Sequence, residues 1–283
     1  MSVDRPKGAG GSKKSDLKIR FLSAVVMAPA VLVIAWFGGL AFSLLALIGI
    51  LLFMKEWFAL TGTRDTSKRA YAGYAVLIAI AAAFDLGYPG MSLLVAVFGA
   101  GLAYLLGGAD RTARWAAEGV LYSGLALYGL LGARSGDNGQ LFLFFLLIVV
   151  WATDIGAYFT GRTLGGPKLW RQVSPNKTWS GATGGLVAAN LFGVGFVAMF
   201  GHVNVWWWVV LASVFSVVSQ LGDLMESAIK RRFDVKDSSG LIPGHGGVMD
   251  RVDGLVAAAI TAAALGLVLG GTLGDPMSGL FWN

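Results

Sequence analysis

The sequence predicts an all-α, polytopic integral membrane protein of about nine transmembrane helices, with a cytoplasmic N-terminus and the C-terminus outside. Three observations carry this expectation. Of the 283 residues, 56% are hydrophobic and only 13% charged, and the mean hydropathy is +0.69. Several apolar runs reach the roughly 20 residues that a helix needs to cross a bilayer. These runs lack the strict apolar–polar alternation of outer-membrane barrel strands, so the spans are helical.

Taken in order, residues 1–18 form a Gly/Ser/Lys-rich basic cytoplasmic tail expected to be disordered. The apolar run behind it, Ile19 to Phe37, is too long for a signal-peptide core and lacks a cleavage site, which makes it an uncleaved first span. The spans are placed at 19–37, 40–60, 71–87, 91–107, 117–132, 140–160, 180–200, 205–221 and 254–272. The first five make an N-terminal membrane region, 19–132; residues 140–272 make a C-terminal catalytic region with cytoplasmic loops at 161–179 and 222–253; and 273–283 form an outer tail. Counting Arg20 and Lys55 with the inner ends of their spans, every one of the 22 Lys and Arg except Arg134 falls on the inside, as the positive-inside rule requires. The net charge of +6 is therefore mainly a topology signal, with attraction to anionic lipid as a secondary role. Nucleic-acid binding is not expected. The absence of cysteine removes thiolate chemistry, disulfides and Cys-ligated metal.

Chemistry concentrates in the two long inner loops. If span eight continues as a helix past the membrane surface, Asp223, Ser227 and Lys230 share one face. Asp250 and Asp253, three apart, share a face at the start of span nine. Between them "PGHGG", Pro243 to Gly247, offers backbone N–H groups to an anion, flanked by Lys230, Arg231, Arg232, Lys236 and Arg251. Carboxylates, cations and free amides together suit Mg²⁺ and phosphates. In the first loop, "SPNKTWSG" puts Pro175 in a turn, Lys177 near the inner surface, and Thr178 or Ser180 at the N-cap of span seven. Asp154, four residues before Tyr158 in span six, lies inside the membrane, where an acid marks function or a buried cationic partner. Lys55 and Glu56 beside Trp57 read as an interfacial anchor, and His202 as a solvated turn residue.

"SAIKRRFDVKDSSGLIPGHGGVMDRVD", Ser227 to Asp253, resembles the C-terminal motif of the phosphatidate cytidylyltransferases, matching at Ser227, Lys230, Arg231, Lys236, Asp237, Pro243, His245, Gly246, Gly247, Asp250, Arg251 and Asp253. The "DIGAY…GR" stretch around Asp154 and "SPNKTWSG" are similar to that family too, so the likeness covers about residues 150–260. It implies transfer of the cytidylyl group of CTP to phosphatidic acid, with Mg²⁺ and a second, monovalent cation such as K⁺. It further implies Asp223 and Asp250 as metal ligands, with Asp253, Lys230, Arg231 and Ser227 supporting the phosphates. Lys177 and Arg251 would neutralise charge, and the amides of Gly244 to Gly247 would cradle phosphate with His245 donating a hydrogen bond. A homodimer and a site on the cytoplasmic side of a bacterial inner membrane complete the expectation. The chemistry suits a site without a nucleophilic triad: the lipid phosphate is already anionic, so catalysis rests on charge neutralisation and positioning. The alternatives are a CTP-dependent polyprenol or phytol kinase, which needs a base for the acceptor hydroxyl, and a cation transporter using Asp154, Asp223 and Asp250.

Overall fold

A computed structural model describes residues 28–108, 110–201, 204–241 and 246–281. The basic tail, the start of the first span, His202, Pro243, Gly244 and His245 lie outside the described residues. Among the described residues nine α-helices follow in chain order. They are α1 (Ala28–Phe37), α2 (Gly39–Thr61), α3 (Lys68–Asp85), α4 (Pro89–Leu106), α5 (Arg111–Arg134), α6 (Gly139–Leu164), α7 (Trp179–Ala198), α8 (Val205–Arg232) and α9 (Met249–Val268). Seven of them, α2 and α4 to α9, are long and apolar enough to cross a membrane, so the chain is an all-α polytopic membrane protein. The shorter α1 is apolar, whereas α3 carries Lys68, Arg69 and Asp85 within its 18 residues.

The bundle is organised around α5, whose inward face is made of small residues. Gly119 lies under the indole of Trp57, Gly124 against Ile80 and Ala96, and Gly129 against the backbone of Ala259. Backbones can then approach closely, which is how helices associate where lipid offers no hydrophobic driving force. The same device joins the later helices in pairs. In α7 the buried stripe Gly181, Gly185, Ala189, Gly193 and Val197 recurs every fourth residue and lies on α6, where a Cβ at Gly185 would sit 2.7 Å from the Thr153 carbonyl. Helices α8 and α9 cross at Gly222 and Gly254: a Cβ on the first would be 2.6 Å from Ala257 Cβ, and on the second 3.2 Å from Ser219.

Several boundaries differ from expectation. Helix α8 runs to Arg232 instead of ending at 221, and α9 starts at Met249 instead of 254, so the second loop shrinks to 233–248. The first loop contains a two-stranded antiparallel hairpin, β1 (Lys168–Trp170) and β2 (Ser174–Thr178), with Lys168 opposite Thr178 and Trp170 opposite Ser174. Pro175 lies in β2 and not in a turn; in a two-stranded sheet its missing N–H can face outward without breaking the ladder. Trp57 is no interfacial anchor. It is 3% exposed, donates to the Trp115 carbonyl at 2.8 Å and stacks on Phe53.

At the opposite end, Arg134 donates to the carbonyls of Ala35 (2.8 Å) and Trp36 (2.9 Å), closing carbonyls at the C-terminus of α1. The expected outer tail folds back as a 3₁₀ turn, Pro276–Leu280, held by Trp207 Nε1 on the Leu280 carbonyl (2.6 Å) and by the Tyr128 hydroxyl on the Leu273 carbonyl (2.7 Å).

Candidate active site

The C-terminal ends of α6 and α8, the N-terminal ends of α7 and α9, and the hairpin enclose a cavity of about 880 Å³ at one end of the bundle. Asp154, Lys177, Asp223, Lys230, Asp237, Asp250, Arg251 and Asp253 all line it. The tight α8–α9 crossing brings Asp223 and Asp253 together, and the α6–α7 pairing adds Asp154 and Lys177. Thr178 is the N-cap of α7, accepting from Gly181 N at 3.1 Å; Ser180 instead bonds the Gly165 carbonyl.

Each acid has a defined setting. Lys177 Nζ is ion-paired with Asp223 Oδ2, and the Ser227 hydroxyl reaches Asp223 Oδ1 at 3.4 Å. Lys230 Nζ bridges Asp250 Oδ1 (2.6 Å) and Glu226 Oε1 (3.2 Å). Asp250 Oδ2 accepts from the backbone of Gly247 (2.9 Å) and Ser238 (3.1 Å), with the Ser238 hydroxyl at 2.9 Å. Asp253 Oδ1 takes the N–H of Gly254 at 2.7 Å and lies beside Glu226. Asp154 feels the charges of Asp253, Asp223, Lys177 and Arg251.

Gly246 and Gly247 are each needed for a separate reason. Gly246 has φ +82°, a region closed to most side chains. At Gly247 a Cβ would collide with the Ser238 hydroxyl and lie 2.5 Å from Glu56 Oε2. Ser238 and Ser239 thus belong to the site, although the sequence reading assigned them nothing.

Glu56 is a larger surprise. Expected at a membrane surface with Lys55, it is 2% exposed and accepts four hydrogen bonds from the far end of the chain. The donors are Ser238 Oγ (3.0 Å), Ser239 Oγ (2.5 Å), Val248 N (2.9 Å) and Met249 N (2.7 Å). Its sequence signal was an acid inside the apolar run "LLFMKEWFAL", the pattern that singled out Asp154. Glu226, also unassigned from sequence, is 3% exposed; its Oε1 is ion-paired with Lys230, and it lies beside Asp253.

Three expected phosphate ligands, Ser227, Arg231 and Lys236, do not line the cavity. The Arg231 guanidinium donates to the carbonyls of Val235 (3.1 Å) and Val173 (3.4 Å), tying the hairpin turn to the second loop, and Lys236 is exposed. Tyr158 is paired with Arg162 (2.6 Å) rather than Asp154. Among the described residues no three His or acidic side chains converge as a metal cluster; Lys177 and Lys230 hold the acids instead. The donor set nonetheless fits hard cations, because the carboxylates of Asp154, Asp223, Asp237, Asp250 and Asp253 all line the cavity.

A carboxylate-rich cavity with three lysines, built at one end of a membrane bundle, defines the class, and comparison with known proteins agrees. The model of the cytidylyltransferase family matches residues 18–269, and the chain belongs to that family. Similar relatives carry the name phosphatidate cytidylyltransferase. One from Brucella abortus is 42% identical over 274 residues, 95% of this chain and 99% of the relative. One from Staphylococcus epidermidis is 34% identical over 84% of this chain and 94% of its own length. One from Bacillus subtilis is 43% identical over 136 residues, 47% of this chain and 51% of the relative.

Proposed function

We propose that the protein transfers the cytidylyl group of CTP to phosphatidic acid, releasing pyrophosphate. The observation that carries this reading is the cavity itself: acids, lysines and arginines converge where a helical bundle meets water, so a water-borne nucleotide and a membrane-borne phosphate can meet there. The names of the relatives supply the substrate pair. An oxygen of the lipid phosphate attacks the α-phosphorus of CTP, forming a new P–O bond. The bond from the α-phosphorus to the α–β bridging oxygen breaks, and pyrophosphate leaves with that oxygen. No proton need be removed from the nucleophile, which is consistent with a cavity lined by acids and cations.

The obstacle is repulsion between two polyanions, and the chain's cations answer it. Lys177 and Lys230, held on Asp223 and Asp250 in the free protein, would turn to the substrate phosphates and neutralise them. Arg251 contributes from the cavity wall. Asp223 and Asp250 would hold Mg²⁺, which when bound neutralises phosphate charge and aligns the reacting groups. A second, monovalent cation such as K⁺ suits Glu226 and Asp253, where buried carboxylates outnumber the ammonium of Lys230. Gly247 N and Ser238 N fix Asp250 rather than cradling phosphate directly. The site lies on the cytoplasmic face of a bacterial inner membrane in this reading, because the basic residues gather at that end. A homodimer is part of the proposal, checked by the mass of the detergent-solubilised protein.

The deciding experiment supplies purified protein with Mg²⁺, phosphatidic acid and CTP labelled at the α or the γ phosphorus. The α label should enter lipid while the γ label appears as pyrophosphate. Transfer of the γ label to an alcohol lipid would mean a kinase instead.

A further inference from the structure

The structure assigns to Glu56, on α2, the role of a positioning residue for the transfer proposed above: it clamps the loop and helix start that carry Asp250. The inference rests on that reading for its kinetic consequences but on geometry for the clamp itself.

Helix α9 begins without a capping side chain of its own. Val248 stands at its N-cap and supplies none, so the first N–H groups need a partner from elsewhere. Glu56 provides it, accepting from Val248 N and Met249 N with its two oxygens. A carboxylate is well suited there, because the positive end of the helix favours negative charge. The same two oxygens take the hydroxyls of Ser238 and Ser239. One buried side chain thus binds Ser238 and Ser239 on one side and the start of α9 on the other.

The link to the reacting acids runs through Ser238. Its hydroxyl lies 3.0 Å from Glu56 Oε2 and 2.9 Å from Asp250 Oδ2. A hydroxyl has one proton to give, so it serves one carboxylate at a time. With Glu56 in place, Ser238 is held from behind while its N–H and that of Gly247 fix Asp250 Oδ2. Asp250 Oδ1 is thereby turned to Lys230. Without the clamp, Asp250 keeps its chemistry but loses its fixed direction, and small misplacements of such groups are costly. Glu56 touches no reacting atom and is not a catalytic residue.

The test uses full-length wild type, Glu56→Gln and Glu56→Asp in detergent, with kinetics and amide hydrogen exchange in the absence of substrates. Glutamine keeps the shape but turns an N–H₂ toward donors, and aspartate keeps the charge on a shorter stem. For Glu56→Gln the KM for CTP and the half-saturating Mg²⁺ concentration should rise tenfold or more, with the KM for phosphatidic acid within threefold of wild type. Glu56→Asp should recover part of the loss. Amides of 236–241 and 246–252 should exchange at least tenfold faster in Glu56→Gln while those of α6 stay unchanged. Unchanged CTP and Mg²⁺ dependence would overturn the positioning role. Exchange raised equally in α6 would overturn it too, by reducing Glu56 to general packing. If wild type transfers no cytidylyl group yet loop exchange responds as expected, the clamp stands and the proposed reaction falls.

Discussion

At the scale of single residues the site is a set of acids whose directions are fixed by different partners. Asp223→Asn and Asp250→Asn should each lower turnover by about a thousandfold or more, with helix content in detergent unchanged, since neutral amides are poor partners for cations and for the lysines that hold them. Full activity in either variant would remove it from the metal-binding pair. Gly247→Ala should also inactivate, for another reason: its methyl group would push into Ser238 and Glu56, so loss of activity should come with a lower unfolding temperature. The legibility of these residues varied. Asp250 and Asp253 lie in a dense motif, and Asp223 stands one helical turn before that motif begins. Glu56 was not legible, because the adjacent Lys55 suggested a surface pair, and nothing local reveals that its donors lie at Ser238, Ser239, Val248 and Met249. Arg231 went the other way: a motif position read as a phosphate ligand holds two backbone carbonyls in this structure.

At the scale of elements, small-residue seams place the acids. A bulky residue at Gly222 would force α8 off Ala257 and the Asp253 carbonyl. Gly222→Leu should therefore abolish transfer, and α-labelled CTP with phosphatidic acid would report it; wild-type activity would show that the crossing tolerates separation. Removing the cap of α7 is milder. Thr178→Ala should cost about 1 kcal/mol, visible as a small drop in unfolding temperature, and should loosen Lys177 one residue away. Helix existence was legible from hydropathy, because a bilayer sets the length of an apolar run. The ends of α8 and α9 were not, since charged residues that leave the hydrocarbon can remain helical. The hairpin was also hidden: strands of three and five residues leave little periodicity, and Pro175 argued for a turn.

At the scale of the whole molecule, the two halves of the chain are one machine. The sequence reading placed catalysis in 140–272 and left the first five spans without a task; α2 now carries a buried acid that organises the catalytic loop, and α5 packs between α2 and α9. The absence of cysteine makes sidedness directly measurable, because one introduced thiol is the only one present. Lys236→Cys should react with an impermeant maleimide only from the cytoplasmic side of sealed vesicles, and Asp137→Cys only from the other. The reverse pattern would invert the topology.

The clamp also sets a timetable for biogenesis. Glu56 leaves the ribosome 182 to 193 residues ahead of its four donors. At about 5–20 residues per second that is an interval of roughly 10–40 s. During that wait an acid destined for a dry interior has none of its final partners, a state costly in hydrocarbon. Insertion of α2 to its final depth is therefore expected to be a late event, completed when α9 arrives, and a nascent chain stalled before Ser238 should leave residue 56 open to water-borne labelling.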